Sequence, residues 1–400
     1  MLTLDPIQTL ACGGLCLVAG YAIRRRLPLL SRFNIPAPVI GGLLVALGLL
    51  ACRHWNVRPL QFDTGLERPL MIAFFTAIGF NASVSLLKAS GRQVALFLGL
   101  ATVLAVVQNV VGIGVAKAFG LPPLFGVVTG SATLAGGPAT GLAFAPLFEQ
   151  AGVHGAQSVA LASAMAGIVC GSVIGAPVAT MLIERLGLRR APSAAVAVAP
   201  PAAVCVEEPV GEVDRAYQAL KSFVLILLAM GVGGWISDGL GALGLTLPSY
   251  IGAMLMGALL RNVDDRLGWF GLSLPGIDLV GGICLSLFLA VALMDLHLWE
   301  LAGLALPLLV NLGVQALVVV LFCCWPLLRL MGRDYDAAVM AGGFTGFMLG
   351  TTANAMAVMG SLTERYGPAP RAFLVAPLVG AFFIDFTNAI VITVFINGWK

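Results

Sequence analysis

The chain has 400 residues, 59% of them hydrophobic and 10% charged, with a mean hydropathy of +0.99 and a formal net charge of +3. Soluble domains carry roughly 25% charged residues, so this composition excludes a soluble globular protein and indicates an integral membrane protein. The near-balanced charge, with no basic run beyond Arg24–Arg26, also excludes a nucleic-acid partner.

Apolar runs recur from end to end at lengths that suit helices crossing a hydrocarbon core about 30 Å thick, not the alternating segments of a barrel. In the first half they cover about residues 5–23, 38–53, 69–87, 93–118 and 157–184, with a glycine-rich segment at 124–148 left over. Asp5 opens the first run, and no basic leader or small-residue cleavage site precedes it, so it reads as a retained span and not a signal peptide. Residues 188–215 are rich in Pro, Ala and charge without helical periodicity, and read as a linker. The second half gives runs at about 219–240, 247–261, 277–298, 302–330 and 371–397, with 337–360 left over. Cys12, Cys16, Cys52, Cys170, Cys205, Cys284, Cys323 and Cys324 lie mostly in apolar runs. Without metal-ligand spacing to the histidines, they are expected to be buried, reduced thiols.

The second half repeats the first at an offset of about 212 residues. "IPAPVIGGLL" (Ile35–Leu44) answers "LPSYIGAMLM" (Leu247–Met256), and "FFTAIGFNASVSL" (Phe74–Leu86) answers "FLAVALMDLHLWE" (Phe288–Glu300). "GVVTGSATLAGGPATG" (Gly126–Gly141) answers "AAVMAGGFTGFMLGTT" (Ala337–Thr352), and "FEQAG" (Phe148–Gly152) answers "TERYG" (Thr363–Gly367). Four matches in one order imply two repeats, 1–187 and 216–400, on either side of the linker. If neither glycine-rich segment crosses, there are ten spans, and five per half inverts the second repeat. With Arg24–Arg26 in the cytoplasm, this layout leaves only Arg53, Arg58, Arg68, Lys117 and Lys400 of the 22 basic residues outside. A crossing at 124–148 would move Arg185, Arg189 and Arg190 out as well, against the positive-inside rule. The expectation is an all-α polytopic protein with both termini outside and two re-entrant hairpins, at 124–148 and 337–360. Ordinary glycine-rich packing helices are the alternative for both segments.

Backbone that leaves helical geometry at membrane depth is tolerated only against protein or a water-filled cavity, so each hairpin tip marks a site. Gly136, Gly137 and Pro138 form the first tip, between Thr133 on one side and Ala139 and Thr140 on the other. The unpaired N–H groups that begin a returning half-helix, with its dipole, suit a carboxylate. The second tip falls at Gly350, Thr351 and Thr352, with Asn354 just beyond. Thr129, Thr133, Gly137 and Gly141, and likewise Gly342, Gly346 and Gly350, recur every four residues and present faces for close helix approach.

Asp385 lies near the middle of the last run with Asn388 one turn on. A carboxylate there is paired, protonated or bound to a cation, and no basic residue shares its depth. A hard cation takes oxygen ligands, which Asp385, Asn388, hairpin hydroxyls such as Ser131, and the amides Gln108 and Asn109 supply. A protonated structural Asp385, or proton coupling through it, are the alternatives. Gln108, Asn109, Asn311 and Gln315 inside the fourth and ninth runs serve either interhelical hydrogen bonding or a site. Asp295, His297 and Glu300 read as a solvated outer end, and Glu364 and Arg365 as an ion pair. A channel would show a polar ring and an intramembrane enzyme a catalytic constellation; neither pattern is present, which leaves a transporter and not an enzyme.

In "IPAPVIGGLLVALGLL", "RPLMIAFFTAIGFNAS", "SATLAGGPATG", "LSLFLAVALMDLHLWELAGLALP", "GRDYDAAVMAGG" and "LTERYGPAPRAFLVAPLVGAFFIDFTNAIVI" the chain resembles the bacterial sodium/glutamate symporter family over nearly its whole length. The resemblance implies secondary active uptake of L-glutamate or a related small carboxylate with co-transported sodium. A proton-coupled or dicarboxylate transporter of the same fold is the alternative. It implies further a homodimer in the bacterial inner membrane and an elevator-like movement, with the tips holding substrate and Asp385 and Asn388 at the sodium site. The family's first tip usually reads Gly-Gly-His-Gly-Thr, where this chain has Gly136-Gly137-Pro138-Ala139-Thr140. The second usually has Gly-His near Gly342-Gly343 and Thr-Pro-Thr near Thr352-Ala353-Asn354. The chain's own substrate preference is to be sought at those departures.

Overall fold

The computed structural model describes residues 2–54, 60–85, 91–188, 212–242, 248, 250–301 and 303–399. Within them every apolar run is helical, and the chain is an all-helical polytopic membrane protein. The one non-helical regular piece among the described residues is a two-residue parallel pairing of Leu2–Thr3 with Leu60–Gln61. Six helices are long and apolar enough to span: Pro6–Arg26, Gly91–Ala118, Ala156–Arg185, Tyr217–Ala242, Leu274–Met294 and Ala305–Leu330.

The first half contains α1 (Pro6–Arg26), α2 (Ala37–His54), α3 (Glu67–Phe80) and α4 (Gly91–Ala118). Then come α5 (Pro123–Val127), α6 (Gly137–Gln150) and α7 (Ala156–Arg185). Asp5 starts α1 through a reciprocal cap, accepting from the Gln8 N–H at 2.7 Å while the Gln8 side chain accepts from the Asp5 N–H at 3.1 Å. Helix α3 ends at Phe80, short of the predicted residue 87. Polar residues there bond outside the helix, with Ser83 donating to Asp265 and the Val84 N–H to Asn262.

The second half contains α8 (Glu212–Ala242), α9 (Tyr250–Leu267), α10 (Leu274–Met294) and α11 (Ala305–Phe322), which a wider turn carries on to Leu330. The rest is α12 (Tyr335–Met348), α13 (Thr352–Tyr366), α14 (Pro370–Leu378) and α15 (Ile384–Gly398), the last two joined by a wider turn at Val379–Phe383. Residues 189–211 of the predicted linker lie outside the described residues, and α8 begins within its last four positions.

The helices sort into two packed groups. Helices α1, α2, α3, α8, α9 and α10 pack together, as do α4–α7 with α11–α15. Each group takes matching helices from both halves. Exchanging α1, α2 and α3 for α8, α9 and α10 reproduces most of the contacts: α1 on α2 becomes α8 on α9, and α2 on α10 becomes α9 on α3, although α8 on α10 has no match in α1 on α3.

Glycines set the closest approaches. A Cβ on Gly112 of α4 or on Gly126 of α5 would overlap the other's backbone, so only glycine serves at that crossing. On α7, Gly171 and Gly175 face the Gly346 and Gly342 carbonyls of α12. The four-residue repeat of the second hairpin is therefore a packing face. That of the first does not form one face, because the helix breaks between Thr129 and Thr133.

Two sequence expectations need correction. Of the seven described cysteines, all without a disulfide, only Cys284 and Cys323 are buried; the other five are half-buried, and Cys205 lies outside the described residues. Arg365 pairs with Glu184 of α7 at 3.7 Å, not with Glu364. Successive helical residues point about 100° apart, whereas α7 packs directly on α13.

Candidate functional site

The first broken helix begins with Pro122 and Pro123, which remove two of the N–H groups that a helix start leaves unpaired. Five residues later the helix widens through Val128–Ala132, and Gly130 leaves helical geometry at φ −105° and ψ −129°. That break frees peptide groups deep in the protein, and side chains of three other helices take them up. Asn311 of α11 donates to the Thr129 carbonyl at 2.9 Å and to its hydroxyl at 2.7 Å. Asn109 of α4 accepts from the Ser131 N–H at 2.9 Å, and Asn388 of α15 donates to the Ser131 carbonyl at 2.9 Å. The space is tight, since a Cβ on Gly130 would lie 2.9 Å from Asn109 Oδ1. Beyond the break, Gly137 turns the chain at φ +69°, a conformation glycine adopts without cost, and Pro138 sets the first turn of α6.

The second broken helix starts at Asp334, which caps α12 by accepting from the Ala337 N–H at 2.9 Å. It descends to Met348, turns through Leu349 and Gly350, and resumes at α13 from an extended Thr351. The Thr351 side chain makes no cap hydrogen bond to α13; its hydroxyl donates to Asn354 Oδ1 at 3.2 Å. The tip is pinned by Thr352 to the Gly380 carbonyl at 3.0 Å and by Gln108 of α4 to the Met348 carbonyl at 2.9 Å.

The two tips meet. A Cβ on Gly137 would lie 3.6 Å from Thr351 Cγ2 and 3.8 Å from the Gly350 carbonyl. Both tips line one cavity of about 390 Å³, in the size range of small-molecule sites. The helix N-termini of α6 and α13 therefore open on the same space, each with the partial positive charge of an uncapped helix start. Asp385 lines that cavity from α15. Arg24 and Tyr21 at the end of α1, and Ser286 of α10, line it from the other group of helices.

Of the residues singled out in the sequence, Gly136, Gly137, Pro138, Ala139, Gly350, Thr351, Thr352 and Asp385 come together on this cavity. Thr133, Thr140 and Asn354 do not line it and are buried. Thr133 donates to the Val128 carbonyl at 2.7 Å and lies 2.9 Å from the Ser163 hydroxyl, while Asn354 donates to the Ile168 carbonyl of α7 at 2.8 Å; both polar groups serve the backbone. Asn109, Ser131 and Asn388 are joined directly at the Gly130 break, and Gln108 stands beside them. Asp385 and Asn388 thus face different places: the first the cavity, the second the break behind it. Sequence reasoning passed over Arg24, read there only as a topology signal, and the break at Gly130. A lone glycine six residues before a Gly-Gly-Pro turn gave no separate signal.

Among the described residues no cluster of three His, Cys, Asp or Glu side chains could hold a transition metal. The oxygen-bearing side chains at the break and cavity are amides, hydroxyls and one carboxylate, a donor set for a hard monovalent or divalent cation.

The family model described as "Sodium/glutamate symporter" matches residues 2–368. A sodium/glutamate symporter of Escherichia coli (strain K12) is 41% identical over 405 aligned residues, covering 99% of this chain and 98% of that protein. One of the same name from Haemophilus influenzae is 36% identical, covering 98% of this chain and 97% of its own. The similarity therefore continues past the family match through α15, which carries Asp385 and Asn388.

Proposed function

The chain belongs to the sodium/glutamate symporter family, and we propose from that premise that it takes up L-glutamate or a related small carboxylate together with sodium. The observation that carries this reading is the cavity onto which two helix N-termini and Asp385 open together. The α6 and α13 N–H groups receive the carboxylates of the substrate, and Gly136, Gly137, Pro138 and Ala139 with Gly350, Thr351 and Thr352 shape the space around it. Sodium binds between Asp385 on the cavity and the break behind it, with Asn388 and Ser131 as oxygen donors and Asn109 and Gln108 holding the backbone in place. Pro138 and Ala139 narrow the first tip relative to a glycine-rich turn and set substrate preference by shape.

The broader arrangement belongs to the same proposal. The protein crosses a bacterial inner membrane ten times as two inverted repeats, 1–187 and 216–400, joined by a cytoplasmic linker at 188–215. Both termini are periplasmic, and the segments 124–148 and 337–360 enter from opposite sides as re-entrant hairpins. Helices α4–α7 and α11–α15 form the moving part of an elevator-like carrier. The other six helices form a scaffold that assembles as a homodimer in the bilayer. Arg24 lies at the cytoplasmic end of α1, so a cavity lined by Arg24 opens inward, the arrangement in which substrate leaves.

The test is uptake of labelled glutamate into proteoliposomes of the purified protein. An inward sodium gradient is expected to drive accumulation, and Asp385→Ala to abolish it in a protein that still purifies as a monodisperse oligomer. Accumulation that follows a pH gradient and ignores sodium would replace the cation assignment by proton coupling.

A further inference from the structure

Among the buried amides around the Gly130 break, Asn109 alone turns its oxygen to the backbone, while Gln108, Asn311, Gln315 and Asn388 all turn theirs away. Gln108 donates to the Met348 carbonyl at 2.9 Å, Gln315 to the Gln108 carbonyl at 2.7 Å, and Asn311 to the Thr129 carbonyl at 2.9 Å. A backbone carbonyl accepts and never donates, so each of these side chains must present its NH2 group to its partner and turn its oxygen away. Gln108 Oε1, Asn311 Oδ1 and Gln315 Oε1 are all left without a hydrogen-bond partner. All three residues are at most 1% exposed, so bulk water does not complete them. Asn311 and Gln315 stand one turn apart on α11, and α11 packs on α4 beside Gln108.

Buried polar groups in native proteins are satisfied, and three acceptors that all lack a donor call for a partner that brings positive charge without needing to accept a hydrogen bond. We infer that Gln108, Asn311 and Gln315 form a second sodium position at the crossing of α4 and α11, separate from the one at Asp385. Its ligands are neutral carbonyl oxygens. A cation there braces both hairpins at once, because the same amides hold Thr129 of the first and Met348 of the second. Its presence ties the two tips into the geometry that receives substrate. This inference rests on the sodium-coupled reading above.

The experiment counts sodium ions in two ways on the full-length protein in proteoliposomes. Reversal potentials of glutamate-coupled flux, measured at several sodium gradients, are expected to give at least two sodium ions per substrate. Initial uptake should rise with sodium at a Hill coefficient near 2. Gln315→Leu is expected to lower both counts by one, and Asn311→Leu, which also frees the Thr129 carbonyl, to lower them together with apparent glutamate affinity. One sodium per substrate in the unaltered protein would overturn the second position, whatever the variants do, and would assign the three oxygens to buried water. Unchanged counts in both folded variants would overturn it equally. Complete indifference to sodium would instead remove the sodium reading itself, so the two failures are distinct.

Discussion

Asn388 and Asp385 are three residues apart on α15, yet they answer to different surroundings. Asn388 is fully buried and holds the Ser131 carbonyl, while Asp385 is half-buried and lines the cavity. Asn388→Leu removes that hydrogen bond and strands a buried carbonyl, a loss of about 1–3 kcal/mol. Thermal unfolding of the purified protein should report it, along with a weakened sodium response. Asp385→Asn keeps size and packing at the cavity wall and should leave thermal stability nearly unchanged while sodium-driven uptake falls at least tenfold. The contrast between the two variants, one structural and functional, the other functional alone, is read by measuring melting temperature and uptake side by side. At this scale the sequence picked out polar residues that the fold places at the cavity and the break, because so few occur in its apolar runs. It did not divide them: Thr133 and Asn354 look like tip residues, but they are consumed by the Val128 and Ile168 carbonyls, which only the fold brings within reach.

Each hairpin is a helix, a turn and a returning helix, and the two differ in where they break. The second breaks once, at its tip. The first breaks twice, at the Gly136–Gly137 tip and again at Gly130. Gly130→Ala places a methyl group against Asn109 Oδ1, the atom that holds the Ser131 N–H. Overpacking of this kind costs about 1–3 kcal/mol. Because the displaced group belongs to the break and not to the outer helix surface, apparent sodium affinity is expected to weaken several-fold in uptake assays even where the protein folds. The tips were legible in advance because Gly-Gly-Pro and Gly-Thr-Thr are strong punctuation in a helical run. The Gly130 break was not. It is created by Asn109, Asn311 and Asn388 bidding for peptide groups from helices far away in the chain, and no local pattern encodes that. The end of α3 was missed for a similar reason, since residues of α9 hold Ser83 and the Val84 N–H where the chain breaks between Phe80 and the next helical turn.

Across the whole molecule, the first three helices of each half pack in one group and the remainder in the other. The four short matches suggested two repeats, whereas the sorting into groups was not legible, because it depends on which faces meet after folding. The shared cavity also sharpens a topological expectation. Hairpins that enter from opposite sides suggest tips reached from opposite sides, yet Ala139 and Thr352 line the same space. Single cysteines at these two positions in an otherwise cysteine-free protein should therefore react with a membrane-impermeant thiol reagent from one and the same side in sodium-free vesicles. Sodium with glutamate should slow both reactions together. Labelling from opposite faces under one condition would show that the tips do not share a vestibule.

The glycine seams bear on that movement. Gly112 against Gly126, and Gly171 and Gly175 against α12, lie within one group; Gly20 against Ala37, Gly79 against Met254 and Gly233 against Ala253 lie within the other. Among the described glycines, those that press backbone on backbone between different helices do so inside a group, and none does so across the boundary where α6 meets α10. Interlocked main chains resist sliding, because displacing either helix by even part of a turn drives carbonyls into neighbouring backbone. Side chains, by contrast, change rotamer and let a surface glide. On the elevator-like reading proposed above, the distribution of the smallest residue then acts as a map of friction, high inside each group and low along the surface between them.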